Sequence, residues 1–221
     1  MRPAFLAIAL AAAAALALMM AADAPRAGSY VVVKPGAHPG ILFSEAELPA
    51  LRRRAQGGGM AAEAYRRVRR IASAEFDVNL TVKQAVGPEG VRLARQLEAM
   101  ALVYQIERDA ATGRRAAALF DSVAAGIDPG EFFRTVDSDF FATEHWPKAF
   151  AVAWDWLFPL LGEEQRARLL AALEGWNAAL FHHTESWWWR EAGYNCGAIP
   201  VGAQGMLLTA IRGESRHPEL D

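Results

Sequence analysis

The sequence predicts an all-α protein assembled from helical hairpins. Three observations carry that prediction. Apolar residues recur at three- and four-residue spacing along most of the chain. Glycine- and proline-rich breakers such as Gly57-Gly58-Gly59 and Asp128-Pro129-Gly130 fall between the periodic stretches. The only β-branched run, Val31-Val32-Val33, is cut short by Pro35-Gly36.

Composition narrows the class. The chain has 221 residues, the length of one ordinary domain, and is 53% hydrophobic and 22% charged. Its 23 basic residues are balanced by 25 acidic ones, which argues against a disordered tail, a fibre and a nucleic-acid-coating protein. Cys196 is the single cysteine, so it has no internal disulfide partner and completes no thiolate zinc site. Stability must come from packing.

The first segment reads as a targeting element. Arg2 precedes an uncharged apolar run from Ala4 to Ala22, and Ala22-Asp23-Ala24 supplies small residues for cleavage. This predicts a signal peptide over residues 1–24 and a periplasmic or secreted protein. The run is long enough for an anchor, but its alanine-rich, weakly apolar character favours cleavage, with no stable membrane insertion afterwards. Residues 25–43 then form an extended entry segment, and 44–221 the helical domain.

Each helix has a local reason. Ser44 and Glu47 make a capping box, Phe43 and Leu48 a hydrophobic staple, and Pro49 suits the opening of the longer helix that follows. A second helix runs from about Met60 to Phe76, with Arg66, Arg67, Arg69 and Arg70 on a solvated face. From Gly90 to Arg108, Leu93, Leu97, Met100 and Tyr104 define a core-facing stripe. The next helix, Thr112 to Ala125, completes a hairpin.

Residues 130–146 form an irregular loop in this reading, with Pro147 opening a helix that is apolar on nearly every side and includes Trp154 and Trp156. Asp155 lies inside that run, and a buried carboxylate needs a partner, whether structural or functional. After Pro159, Glu163-Glu164 open a helix with Leu169, Leu173, Trp176 and Leu180 on its buried side and Glu164 spaced to pair with Arg168. The last helix runs from about Ala198 to Arg212, with Ala198, Gly202 and Gly205 allowing close approach on one side. About seven helices result, and hairpins recurring every 40 to 50 residues suggest a helical array or an α/α barrel.

Strong catalytic signatures are absent: there is no phosphate-binding glycine loop, no dinucleotide fingerprint, no His-Glu-x-x-His and no Gly-x-Ser-x-Gly. No cofactor or metal is expected. His182-His183 diverge in direction on a helix and read as residues at its negative pole. Asn79-Leu80-Thr81 has the glycosylation pattern.

One stretch stands apart, Trp187-Trp188-Trp189 followed by Tyr194, Asn195 and Cys196. Three consecutive tryptophans cannot all face one core, and aromatic faces are platforms for sugar rings. Asn195 falls at a predicted helix start, where its amide can donate to a carboxylate. The alternative stands beside this: Asn195 caps a helix and the tryptophans fill the gap between hairpins. Trp187, Trp188, Trp189, Tyr194 and His145 are the substrate-binding candidates, and Asn195 the catalytic one. Asp137, Asp139 and Glu144 offer carboxylates for glycoside hydrolysis, but nothing pairs them across a cleft.

The run His38-Pro39-Gly40-Ile41-Leu42-Phe43-Ser44 with Glu47-Leu48-Pro49-Ala50-Leu51 resembles the opening of heparinase II/III-like and alginate-lyase-like proteins. Trp154-Asp155-Trp156-Leu157-Phe158 and Leu161-Gly162-Glu163-Glu164-Gln165-Arg166 are similar to their Tyr-Asp-Trp-Leu helix and the turn after it. The Trp-rich stretch ending at Asn195 resembles the segment that holds the substrate carboxylate, so the likeness spans about Gly36 to Ile211. It implies an incomplete (α/α) toroid, followed in these lyases by further toroid and β-sandwich regions, acting on an acidic polysaccharide by β-elimination. Asn195 would neutralise the uronate carboxylate, with a tyrosine or histidine handling the proton. The chain departs from the family after Asn195, where no tyrosine follows, where His217 is the one later histidine, and where Cys196 stands in place of the histidine of some alginate lyases. The expectation is therefore the N-terminal part of such a lyase. The alternative from a different class is a non-catalytic carbohydrate-binding helical module.

Overall fold

The computed structural model describes residues 35–77, 80–136, 142–185 and 195–215, with backbone alone at 142 and 195–197. The predicted signal peptide, Val31-Val32-Val33, Asn79, Asp137, Asp139, Trp187, Trp188, Trp189, Tyr194 and His217 lie outside the described residues. The described residues are all-helical, with nine α-helices and no strand.

Ser44 and Glu47 close the predicted box: the Ser44 amide and hydroxyl both donate to Glu47 Oε2 at 2.8 Å, over a 3₁₀ turn at Glu45–Glu47. Helix α1, Leu48–Gln56, follows with Pro49 in its first turn, where the missing amide hydrogen is harmless. Helix α2 spans Gly59–Ala72, four residues shorter at its end than expected, because Ser73 caps it and the chain turns at Ala74. A short α3, Val82–Val86, is capped by Thr81, whose hydroxyl accepts from the Gln84 amide.

The predicted hairpin is α4, Pro88–Glu107, and α5, Ala110–Ala124. Arg108 takes a left-handed conformation between them and Asp109 caps α5 through the amides of Ala111 and Thr112. The stripe Leu93, Leu97, Met100 and Tyr104 is buried as expected.

Residues 130–146 differ from the expectation of an irregular loop. They contain α6, Pro129–Val136, and the start of α7, Ala142–Leu157, so Pro147 lies inside a helix instead of opening one. One lost backbone bond is outweighed by burial of the preceding turn, where Trp146 is fully buried and its Nε1 donates to Ala85 O at 3.0 Å. A 3₁₀ turn at Phe158–Leu160 leads to α8, Glu163–Glu185. Helix α9, Asn195–Ile211, begins three residues before the predicted start.

Cross-helix contacts fix the directions. Lys148 meets Glu98 and Gln105 donates to Trp156 O, so α4 and α7 run parallel. The Asp121–Arg168 pair and the Trp176 Nε1 to Ala124 O bond at 3.0 Å make α5 and α8 parallel to each other. Tyr65 bonds to Glu107 while Gln96 reaches Ala74 O, so α2 opposes α4. The result is a buried row of α4 and α7, continued by α9, backed by oppositely directed α2, α5 and α8. Arg168 bonds Asp121 with two nitrogens, at 3.2 and 2.7 Å, where the sequence suggested Glu164; the planar guanidinium matches a carboxylate facing it across the helices.

Trp176 anchors the centre, with ring centroids 4.9, 5.7 and 5.0 Å from Phe132, Phe133 and Phe150. Trp154 and Trp156 are buried, as the all-round apolar pattern implied. The small residues of α9 face outwards instead of admitting a described neighbour: a Cβ at Gly202 or Gly205 would meet nothing within 4 Å, and Val201 beside them is 54% exposed.

Candidate functional site

Helices α7 and α9 end at one place. His38 donates from Nδ1 to Asp155 Oδ1 at 2.8 Å and from Nε2 to Glu214 Oε1 at 3.0 Å, and the Gly36 amide donates to Arg212 O. Asp155 lies near the end of α7, and Arg212 and Glu214 just beyond α9. The two helices therefore run parallel, with their N-termini, Ala142 and Asn195, both directed to the opposite end of the molecule. The start of α4 lies at the same end, since Ala85 bonds to Trp146.

A charged cluster forms there from two helices. Helix α4 contributes Arg95 and Glu98, and α7 contributes Glu144, His145 and Lys148. Lys148 Nζ stands 3.5 Å from Glu98 Oε1, with about a third of the lysine and a quarter of the glutamate side chain accessible. Burial raises the Glu98 carboxyl above its ordinary range, opposed by the Lys148 charge and hydrogen bond. His145 is more enclosed, at 8% exposure. Burial first, then the charges of Lys148 and Arg95, lower its pKa to about 3, so the imidazole is neutral. Among the described residues its Nδ1 has no hydrogen-bond partner; Glu144 Oε1 stands at 3.7 Å, too far for a hydrogen bond.

Among the predicted site residues, His145 joins this cluster, on a helix and not in a loop. Asn195 is the first residue of α9, at the same end, with its backbone alone described. Trp187, Trp188, Trp189 and Tyr194 lie outside the described residues. Arg95, Glu98 and Lys148 were not anticipated. The signal was faint: Arg95 and Glu98 interrupt the apolar stripe of α4, and Lys148 is the one lysine or arginine in α7.

Two other features belong to the framework. Asp155 is buried and accepts from the Gly40 and Ile41 amides as well as from His38, which gives it the structural role. A groove of about 640 Å³ between α2, α4 and α5 carries Arg66, Arg69, Arg70 and Arg115. Arg69 is paired with Glu107 at 2.8 Å, and Arg115 donates to Ala74 O and lies over the Phe76 ring. The predicted solvated face is the outcome for Arg66, Arg67 and Arg70, all exposed. His183 at the end of α8 packs its ring 5.3 Å from Phe133. Among the described residues no group of three or more His, Cys, Asp or Glu is placed to hold a metal, and no helix is long and apolar enough to cross a membrane.

The chain matches no protein-family model and no curated protein.

Proposed function

We propose that this protein binds uronic-acid polysaccharides at the N-terminal ends of α4, α7 and α9 and acts in their cleavage by β-elimination, as an exported protein whose hairpins form an arc of an (α/α) toroid. One observation supports the reading: α7 and α9 run parallel, so Asn195 starts its helix at the end of the molecule where the neutral His145 lies with the cations Arg95 and Lys148. The tryptophans 187–189 precede α9 directly in sequence and serve as stacking platforms.

The chemistry demands such a site. Abstraction of the C5 proton beside an ionised carboxylate accumulates negative charge, so donors must neutralise that carboxylate before the C4–oxygen bond breaks. The Asn195 amide and the nearby cations have that character. The leaving oxygen takes a proton as the unsaturated uronide forms.

A second reading, a carbohydrate-binding module without catalysis, is favoured by the two described tyrosines. Tyr65 donates to Glu107 at the far end of α4, and Tyr104 is buried there, so neither is available to move a proton at this site.

The test is to incubate the full chain with heparin, heparan sulfate, alginate, hyaluronan and a neutral glucan. Ultraviolet absorbance from an unsaturated uronide, with acidic glycans alone, supports elimination. Binding without absorbance supports the module, and no binding to any acidic glycan removes both.

A further inference from the structure

The imidazole of His145 presents a contradiction in its surroundings. It is nine-tenths buried, its Nδ1 has no hydrogen-bond partner among the described residues, and a buried polar nitrogen is normally satisfied. Burial first, and then two cations, Lys148 from its own helix and Arg95 from α4, hold it neutral. An internal anion would resolve this arrangement, yet among the described residues no acid hydrogen-bonds the imidazole. Glu144 stops at 3.7 Å, and Glu98 faces Lys148 at 3.5 Å, with burial favouring its neutral form.

We propose that Arg95, His145 and Lys148 form a subsite for the carboxylate or sulfate of an acidic sugar, with His145 Nδ1 the atom that meets the anion. The proposal rests on the reading of the protein as a binder of acidic glycans and does not need elimination to occur. Arg95 has no hydrogen bond or ion pair among the described residues, and Lys148 keeps about a third of its side chain accessible. Both therefore retain donors for a ligand. Among the described residues the charged groups around His145 are Arg95 from α4 and Glu144 and Lys148 from α7, with Glu98 of α4 set against Lys148.

Charge then links binding to protonation. An anion held at Nδ1 supplies the counter-charge that burial and the two cations deny the imidazole, so His145 takes up a proton from solvent as the ligand binds. By reciprocity, affinity for the anion rises as the pH falls.

The test is calorimetry on the full chain at mildly acidic pH, in two buffers of different ionisation heat. The probes are an oligogalacturonate, inorganic sulfate and a neutral cello-oligosaccharide. The expected result is proton uptake with the first, none with the last, and with sulfate a weaker version that separates a carboxylate from a sulfate preference. Lys148→Met should weaken oligogalacturonate binding about tenfold, the scale of one lost charge-assisted contact. Glu144→Gln should tighten it, because a carboxylate 3.7 Å from the same ring nitrogen, which repels an incoming anion, is gone. His145→Asn should abolish the uptake; should that variant unfold, the variants at the partly exposed Lys148 and Glu144 still decide. Binding that is indifferent to pH and to both variants overturns the subsite and leaves the glycan reading standing. No binding to either anionic probe overturns the two together.

Discussion

His38 and Asp155 are joined by a 2.8 Å hydrogen bond across 117 residues of sequence, and the same imidazole reaches Glu214 with its other nitrogen. Both partners are carboxylates, so both ring nitrogens must donate and the ring carries a proton. It also stacks on Phe158, with centroids 4.0 Å apart. The entry segment is thereby pinned to the ends of α7 and α9. Removal of Asp155 leaves a buried imidazolium and the Gly40 and Ile41 amides unpaired. Asp155→Ala should destabilise the fold by about 3–5 kcal/mol, read from the denaturant midpoint. Asp155→Asn should lose less, because its oxygen still accepts from an amide.

The same pin predicts alkaline sensitivity. Burial opposes the charge on His38, but its hydrogen bonds to Asp155 and Glu214 outweigh it and raise the pKa from 6.5 to about 9. A raised pKa stabilises the fold fully below the unfolded value and loses that contribution as the pH climbs through the folded one. Unfolding free energy should therefore fall between about pH 6.5 and pH 9, by on the order of 3 kcal/mol. His38→Gln should flatten that slope in denaturant titrations repeated across the range.

His145 responds in the opposite sense. Its depressed pKa means that the unfolded chain takes up a proton before the folded one, so stability declines as the pH drops from 6.5 towards about 3. Lys148→Met removes one of the two cations behind the shift and should raise the His145 pKa, a change visible in the ring-proton resonances against pH.

Two glycines should behave in opposite ways. Gly90 in the first turn of α4 lies against the backbone of Ala85, where a Cβ would sit 1.8 Å from the carbonyl oxygen. Gly90→Ala must push α3 away and should cost about 1–3 kcal/mol or more. Gly175, in the middle of α8, faces nothing within 4 Å. Gly175→Ala should stabilise by about 0.5–1 kcal/mol, since alanine restricts the unfolded chain and fits the helix. Thermal midpoints of the two variants check both signs.

Wherever turnover of an acidic polysaccharide is observed, Asn195→Ala should lower kcat about 10²–10³-fold, the effect of removing one donor to developing charge. Steady-state kinetics with unchanged circular dichroism would separate this from loss of fold.

Local patterns in the sequence were enough for much of the architecture. Ser44 and Glu47 marked a helix start, Gly57-Gly58-Gly59 a break, and the stripes from Leu93 to Tyr104 and from Leu169 to Leu180 the buried faces. These features are set by neighbours three or four positions away, within reach of a single turn. Pro147 misled for the same reason: judged locally it opens a helix, but burial of Trp146 and its bond to Ala85 extend α7 backwards past it.

The candidate site shows the same division at long range. His145 and Asn195 were legible as residue types, whereas Arg95, Glu98 and Lys148 gained meaning from the parallel register of α4 and α7. Asp155 announced by its position that it needed a partner, and the fold supplied His38. Periodicity, caps and breakers are short-range properties, so the sequence alone determined that this protein is a set of amphipathic helices. Which helix ends meet depends on side-chain packing between segments 50 to 117 residues apart, and that register the tertiary structure alone decided.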